Sequence, residues 1–344
     1  MNFPMNIWYQ AAWAEEIVND KPLARTIAGV PLVLFRDENG NVAALHDVCP
    51  HRFAPLSRGK VEDGIISCGY HGLAFNGSGK CINNLHGPTP KVGTRAFPVA
   101  ERHEAIWVWP GNAELADPAK IRDLSFLDNT PETAKFRGYM PTKANFQLLS
   151  DNILDLSHAN SLHLESLGGI QPGFKMEARE LDEGVEVTWT AKNVEPNGLT
   201  RAAMSEYSLV DQYLHCSWRP AGLLILDGGA KMPGSDEFLE MTRAFHSMTP
   251  ETDTTSHYFF AVTRITDLEN TDVTEAVKKL TYQAFYNEDK PMIEAQQERM
   301  GTAEFWSLRP ALLAIDNGAV RARRKLDKIV AAEHAGDLTA AAAE

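Results

Sequence analysis

The stretch CPHRFAPLSRGKVEDGIISCGYH, residues 49–71, holds two of the four cysteines and two of the eleven histidines of a 344-residue chain, as Cys49-x-His51 and Cys68-x-x-His71. Thiolate and imidazole both bind transition metals, so the pairs pose a choice between zinc and iron–sulfur. Common Cys2His2 zinc sites put both cysteines in one pair and both histidines in another. Here each short loop offers one of each. A 2Fe-2S centre with two cysteines on one iron and two histidines on the other is served by two such loops, each touching both irons. Pro50 and Pro55 stiffen the first loop, and Gly69 and Gly72 flank the second, where backbone must pass close to inorganic sulfide. A structural zinc site is the minor alternative. Cys81 and Cys216, away from any such pair, read as small buried residues, and His46 and His103 as ordinary strand histidines.

Around this stretch the sequence reads as short strands. VPLVLFRDENGNVAALHDV (30–48) is a hairpin with Asn-Gly at its turn, and AFPVAERHEAIWVWPG (96–111) continues the pattern. A polar segment at 112–133 is a connector. Beyond it, segments 184–192, 211–218, 222–229, 241–248 and 257–265 alternate as antiparallel strands do, while 271–300 and 317–334 have helical spacing. The expected class is α+β: an all-β domain over 1–115, then an antiparallel sheet with helices over 116–334, then a frayed alanine-rich tail at 335–344.

A one-electron centre breaks no substrate bonds, so its electrons need a destination. NFQLLSDNILDLSHANSLHLES (145–166) contains Asp155, His158 and His163. Asp155 and His158, three apart, are expected on one helical face. His158 and His163 would stand about 140° apart on a regular helix, so to reach one ion the helix must end or bulge near Ala159-Asn160. Two imidazoles and a carboxylate form the facial triad of non-haem Fe(II) oxygenases. Spacing alone does not select that carboxylate among 46 acidic residues.

Together the constellations resemble the α subunit of Rieske non-haem iron oxygenases, whose D-x2-H-x4-H motif matches Asp155, His158 and His163, with Asn152 one turn upstream. NIWYQAA, CPHRFAPL, CGYHGL, IWVWPG, SDNILDLSH, MTPETDTTSHYFF, NEDKPMIEAQQ and ARRKLDKIVAAE carry the likeness over nearly the whole chain, within the vanillate O-demethylase, dicamba demethylase and toluenesulfonate methyl-monooxygenase group. The resemblance implies a Rieske 2Fe-2S domain followed by a helix-grip catalytic domain, with the cluster on Cys49, His51, Cys68 and His71 and mononuclear Fe(II) on His158, His163 and Asp289. It implies a ring-shaped homotrimer, with Asp155 hydrogen-bonded to His71 of the next chain and His158 of its own. It also implies a separate NADH-dependent reductase, and a pocket histidine at His246. O-Demethylation of a methoxylated aromatic acid with O2, releasing formaldehyde, is the leading expectation. Hydroxylation of an aryl sulfonate methyl, alkyl or N-methyl compound is the runner-up, and an electron carrier with a ligand-binding domain a distant third. Arg201, Arg219 and Arg243 are available to pair with a substrate carboxylate, and Phe285 and Tyr286 to stack on its ring.

A net charge of −13 disfavours nucleic acid and anionic membranes, and no run approaches a membrane span. With 44% hydrophobic residues and no disulfide framework, a soluble cytoplasmic protein is expected.

Overall fold

The computed structural model describes residues 3–164, 166–169, 173–196, 200–201, 204, 206–237 and 239–336. Most of the expected tail, from 337 on, lies outside them. Two compact units divide the chain. Among the described residues, one takes the chain through Asp123, with Thr249–Thr252 and 332–336; the other takes Leu124–Met248 and Asp253–Ala331.

Through Asp123 the described residues of the first unit are strands, 3-10 turns and loops. Its strands are β1 (Tyr9–Trp13), β2 (Leu23–Ile27), β3 (Val30–Arg36), β4 (Val42–His46), β5 (Lys60–Glu62), β6 (Ile65–Ser67), β7 (Ala74–Phe75), β8 (Cys81–Asn83), β9 (Ala96–Phe97), β10 (Val99–Arg102) and β11 (Ala105–Val108). They form antiparallel sheets ordered β1-β11-β10, β2-β3-β4-β9 and β5-β6-β7-β8. The 30–48 hairpin forms as β3 and β4, with Gly40 at φ 79°. The second expected strand region splits at His103-Glu104, where φ is 55° and 61°, a two-residue turn closed by the Arg102 and Ala105 pair. Left-handed turns of this kind ordinarily take Asn or Gly, which hid this one from the sequence. The core gathers Val33, Phe35, Leu45, Leu56, Ile66 and Phe75 around three cysteines, Cys49, Cys68 and Cys81.

The second unit is built on one seven-stranded antiparallel sheet. Its strands are β12 (Lys135–Thr142), β13 (Lys175–Leu181), β14 (Gly184–Val194), β15 (Val210–Arg219), β16 (Leu223–Lys231), β17 (Leu239–Thr252) and β18 (Thr255–Arg264), in the order β12-β18-β17-β16-β15-β14-β13. β14 shows why these residues pair: Val185, Val187, Trp189 and Ala191 are buried at alternate positions, the period of a strand with one face covered. The helices are α1 (Ser125–Asn129), α2 (Phe146–Leu154), α3 (Ala159–Leu162), α4 (Thr271–Tyr282), α5 (Lys290–Met300) and α6 (Asn317–His334). Asn145 and Asn270 cap α2 and α4 with side-chain oxygens. The region 271–300 is helical throughout but changes pitch, because Gln283–Asp289 between α4 and α5 is a π-helix. Arg323 of α6, 5% exposed, is held to Asp151 of α2 at 2.6 Å, fixing the helix that carries part of the site. Among the described residues no helix is long and apolar enough to cross a membrane.

Candidate metal centres and substrate cavity

The two Cys/His loops are built alike. Cys49 N donates to Ala54 O and Phe53 N to Cys49 O; Cys68 N donates to Leu73 O and Gly72 N to Cys68 O. Two glycines let the loops close on their surroundings. A Cβ on Gly59 would lie 1.9 Å from Ser67 O, and one on Gly69 2.7 Å from Arg58 O. Cys49 and Cys68 are buried and unbridged, while the His51 and His71 rings, centroids 4.5 Å apart, stand nearer solvent. Burial first, and then the neighbouring Cys68, hold the Cys49 thiol above its ordinary pKa, so a thiolate there calls for a cation. Thiols on the inside and imidazoles on the outside match the donor split of a cluster with two unlike irons. All four predicted cluster residues come together.

The second centre rests on a broken helix. α2 ends at Leu154, and Asp155 leaves helical geometry at φ −112°, ψ 92°. Its carboxylate caps the next turn by accepting from Ser157 N at 2.9 Å. A 3-10 turn, Leu156–His158, runs into α3, and the helix ends at His163. The chain thus leaves α2 at Asp155, upstream of both histidines, and between them changes winding from 3-10 to α at His158–Ala159, beside the place where the sequence requires a bulge or an end. Asp155 and His158 share no helical face. The contact between them joins His158 Nδ1 to the main-chain carbonyl of Asp155, and the Asp155 carboxylate is turned elsewhere.

Asp289 arrives from the last residue of the π-helix. Its Oδ1 lies 3.1 Å from His163 Nε2 and 3.5 Å from His158 Nε2, and one ligand atom from each of the three residues lies within 4.8 Å of the others. Both imidazoles have their other nitrogen occupied: His158 Nδ1 by Asp155 O, and His163 Nδ1 by Glu288 Oε2 at 2.6 Å. That is the arrangement in which a metal-ligating histidine is aimed by its far nitrogen, and it leaves two Nε2 atoms and a carboxylate facing one point. The donor set fits a divalent iron with open positions. Asn152 Nδ2 stands 3.0 Å from Asp289 Oδ1 and 3.3 Å from His158 Nε2.

Glu288 escaped the sequence reading. Ser166 Oγ donates to it at 2.6 Å and Gln283 Nε2 at 3.2 Å. Although desolvation raises its pKa, these bonds and His163 hold it below the ordinary carboxylate value, so it stays an acceptor for His163 Nδ1–H. The only signal was its place beside Asp289 in NED, and an α-helix would turn the two acids about 100° apart. Glu288→Gln is expected to weaken mononuclear metal affinity about 10–100-fold, measured by chelator competition, with the cluster spectrum unchanged.

A cavity of about 320 Å³ opens from Asn152, His158, His163 and Asp289 into apolar walls that include Ile153, Leu214, Leu226, Val262 and Phe285. His246 lines it and is 1% exposed, with Nδ1 2.7 Å from Tyr258 Oη. Burial drives the His246 pKa down to about 3, so the ring is neutral. Of the two aromatics considered for ring stacking, Phe285 reaches the cavity. Tyr286 instead stacks on Tyr282 and donates to Tyr139 O at 2.6 Å. Cys81 and Cys216 are buried, as expected.

A family model of the Rieske [2Fe-2S] domain matches residues 7–98, and one of the vanillate O-demethylase oxygenase C-terminal domain matches residues 142–332. The chain is 38% identical over 338 residues to the oxygenase component of chloroacetanilide N-alkylformylase from Rhizorhabdus wittichii, covering 96% of this chain and 97% of the relative. It is 35% identical over 338 residues to the dicamba O-demethylase oxygenase component of Stenotrophomonas maltophilia, covering 96% and 98%. To the vanillate O-demethylase oxygenase subunit of a Pseudomonas species it is 35% identical over 358 residues, covering 96% of each. The crystal structure of dicamba monooxygenase bound to 3,6-dichlorosalicylic acid superposes with a TM-score of 0.89 at 34% identity, covering 97% of this chain and 99% of the other. Another structure of that enzyme, at a TM-score of 0.82, 34% identity and coverage of 97% and 99%, carries non-heme iron with dicamba.

Proposed function

Because the chain belongs to the Rieske non-haem iron oxygenases of the vanillate O-demethylase group, we propose that it removes an alkyl group from oxygen or nitrogen of a small aromatic substrate, with Cys49, His51, Cys68 and His71 holding the cluster and His158, His163 and Asp289 the mononuclear iron. The class itself stands on the relatives: it is the oxygenase component of a Rieske-type aromatic monooxygenase that uses a 2Fe-2S cluster and non-haem iron. The observation that carries the proposal is the convergence of two aimed imidazoles and one buried carboxylate at the end of an apolar cavity. When bound, the cluster supplies single electrons and the iron activates dioxygen.

The chain's own residues have separate tasks. Glu288 and the Asp155 carbonyl fix the tautomers of His163 and His158, so that both Nε2 lone pairs face the metal. The apolar walls exclude water and press an alkyl group toward that end, and Phe285 gives the ring a face to pack on. Asn152 Nδ2 lies beside His158 Nε2 and Asp289 Oδ1, the atoms that would hold the metal, and so borders the metal position. Formaldehyde release from methyl ethers or N-methyl amides, with NADH and a surrogate reductase, tests the reading; its absence from every such compound sinks it.

The relatives are named as components of larger systems, which supports a separate reductase for this chain. We read the working assembly as a homotrimer in the cytoplasm, with Asp155 linking His71 of one chain to the iron site of the next. Asp155 Oδ1 caps Ser157, and Oδ2 has no partner among the described residues. Asn caps as well as Asp does, so Asp155→Asn keeps the fold. It is expected to retain both metals yet cut steady-state turnover at least about tenfold. Unchanged turnover would remove Asp155 from the electron route.

A further inference from the structure

The floor of the cavity is one face of the large sheet. Leu214 of β15, Gly228 of β16 and Thr242 of β17 are cross-strand partners, and all three line the cavity. Leu226 and Ala244 form the next row, and His246 follows along β17. Arg243, between Thr242 and Ala244, is sent by strand alternation to the opposite face, where it meets Asp227 at 2.5 Å. Arg219 pairs with Glu183 at 3.1 Å and Arg201 donates to Pro196 O at 2.9 Å, and none of the three arginines considered for a carboxylate lines the cavity.

Two elements measure the length of this space. From His246 back to Thr242 is four residues of strand, about 13 Å, and from Phe285 back to Val277 is eight residues of helix, about 12 Å. All four residues line the cavity. The two runs lie side by side. At the metal end the His246 and Phe285 rings stand 5.9 Å apart, four residues before Asp289. At the far end Ile265 N donates to Met241 O, and Arg264 Nε to Thr274 Oγ1 at 2.9 Å. The cavity's volume of about 320 Å³ is about twice the ~150 Å³ that accepts benzene.

Gly228 sits at the far end, and its lack of a side chain keeps that end open. A Cβ there would stand 3.2 Å from Thr242 Oγ1 and 3.3 Å from Leu214 Cδ2, the tips of two lining side chains. Its backbone lies outside the left-handed region that favours glycine. The bulge in the β16–β17 ladder puts its extra residue, Met241, on β17, so it asks for no glycine in β16. The neighbouring Gly229 differs, because a Cβ on it would lie 2.5 Å from Leu239 O. Glycine inside a strand weakens it and marks the close approach of a backbone or a ligand. Backbone packing accounts for Gly229, and the cavity accounts for Gly228.

We propose that Gly228 is a specificity-determining residue that sets the depth of the cavity. The substrate is then an arene carrying, on the side of the ring away from the alkyl group it loses, a second substituent of several non-hydrogen atoms that passes over Gly228 between Leu214 and Thr242. The inference rests on the dealkylase reading above, which puts the reacting alkyl group at the metal end, and adds the length of the substrate.

Methoxybenzenes bearing a terminal-alcohol chain of one, three or five carbons, meta or para to the methoxy group, differ in length alone. Their affinities are measured by calorimetry on the iron-loaded holoprotein without oxygen, and formaldehyde is assayed separately with reductase and oxygen. At least one longer compound is expected to bind about tenfold or more tighter than its one-carbon counterpart, since two or more further methylenes are buried. In Gly228→Val that ratio should fall at least about tenfold as the same burial is lost, and Gly228→Ala should act in the same direction by less. Leu214→Ala in the Gly228→Val chain, which vacates the adjoining space, should recover part of the ratio. Equal binding along the series in the parent protein overturns the proposal, as does failure of every compound to bind. A loss in both Gly228 variants that is uniform across chain lengths marks a merely structural role and overturns it too. Length-dependent binding without formaldehyde sinks the dealkylase reading and leaves the assignment of Gly228 standing, whereas formaldehyde without length dependence does the reverse.

Discussion

Asp289→Ala is expected to yield protein with one iron fewer per chain, a full Rieske absorption spectrum and no measurable dealkylation. Asp289 is 4% exposed and its Oδ1 lies within 3.5 Å of both ligand imidazoles, so nothing else described in the chain replaces it. The loss should exceed the ~10–100-fold that follows removal of an orienting partner such as Glu288. Comparing the two variants separates holding the metal from aiming a holder. Iron analysis beside the visible spectrum reads both. Asp289→Ala protein that keeps its full iron would show that the carboxylate belongs to a structural ion pair, with the metal elsewhere.

The second large effect concerns the other unit. Cys68→Ser should bleach the cluster and abolish electron uptake, whereas Cys81→Ser should leave the colour and reduction intact. Both thiols lie in the same core, at 4% and 3% exposure. Either substitution buries a hydroxyl, at a cost of about 1–3 kcal/mol if it finds no partner. Only Cys68 stands in a Cys-x-x-His loop, so only its loss removes the binding free energy that the cluster lends to folding. Thermal unfolding should show the Cys68 variant falling well below the Cys81 variant. Equal melting and equal colour in the two would refute the ligand assignment.

Much of this was legible in the sequence because the relevant signals are local. Alternating Val185, Val187 and Trp189 announce a strand wherever it is placed, and Cys49-x-His51 with Cys68-x-x-His71 specifies two loops of known shape. What failed to show depends on packing. Ideal-helix arithmetic requires a phase change between His158 and His163, and the chain supplies one by passing from a 3-10 turn to α at His158–Ala159 and ending the helix at His163; the earlier break at Asp155, whose side chain prefers a cap to a helix interior, has no such arithmetic to announce it. The His103-Glu104 turn adopts left-handed backbone without Asn or Gly, held by the β10–β11 ladder. The arginines' orientation could not be read from spacing alone, because it depends on which face of β17 turns toward the cavity.

The π-helix at Gln283–Asp289 has an interpretable trace. Along α4 and its continuation the buried positions are Thr274, Val277, Thr281 and Ala284, then Asp289, Ile293 and Gln297. The steps are three or four residues, the rhythm of one helical stripe, except for five between Ala284 and Asp289. A turn closed by i→i+5 bonds accommodates one residue more than an α turn and keeps the stripe in phase on both sides. Within that turn Glu288 and Asp289, neighbours in sequence, serve opposite nitrogens of the same imidazole. In genetic terms the metal-binding register of this helix is one codon wide: an in-frame loss of any codon from 285 to 287 would still permit an unbroken amphipathic helix over the sheet, but with one acid where His163 is met by two.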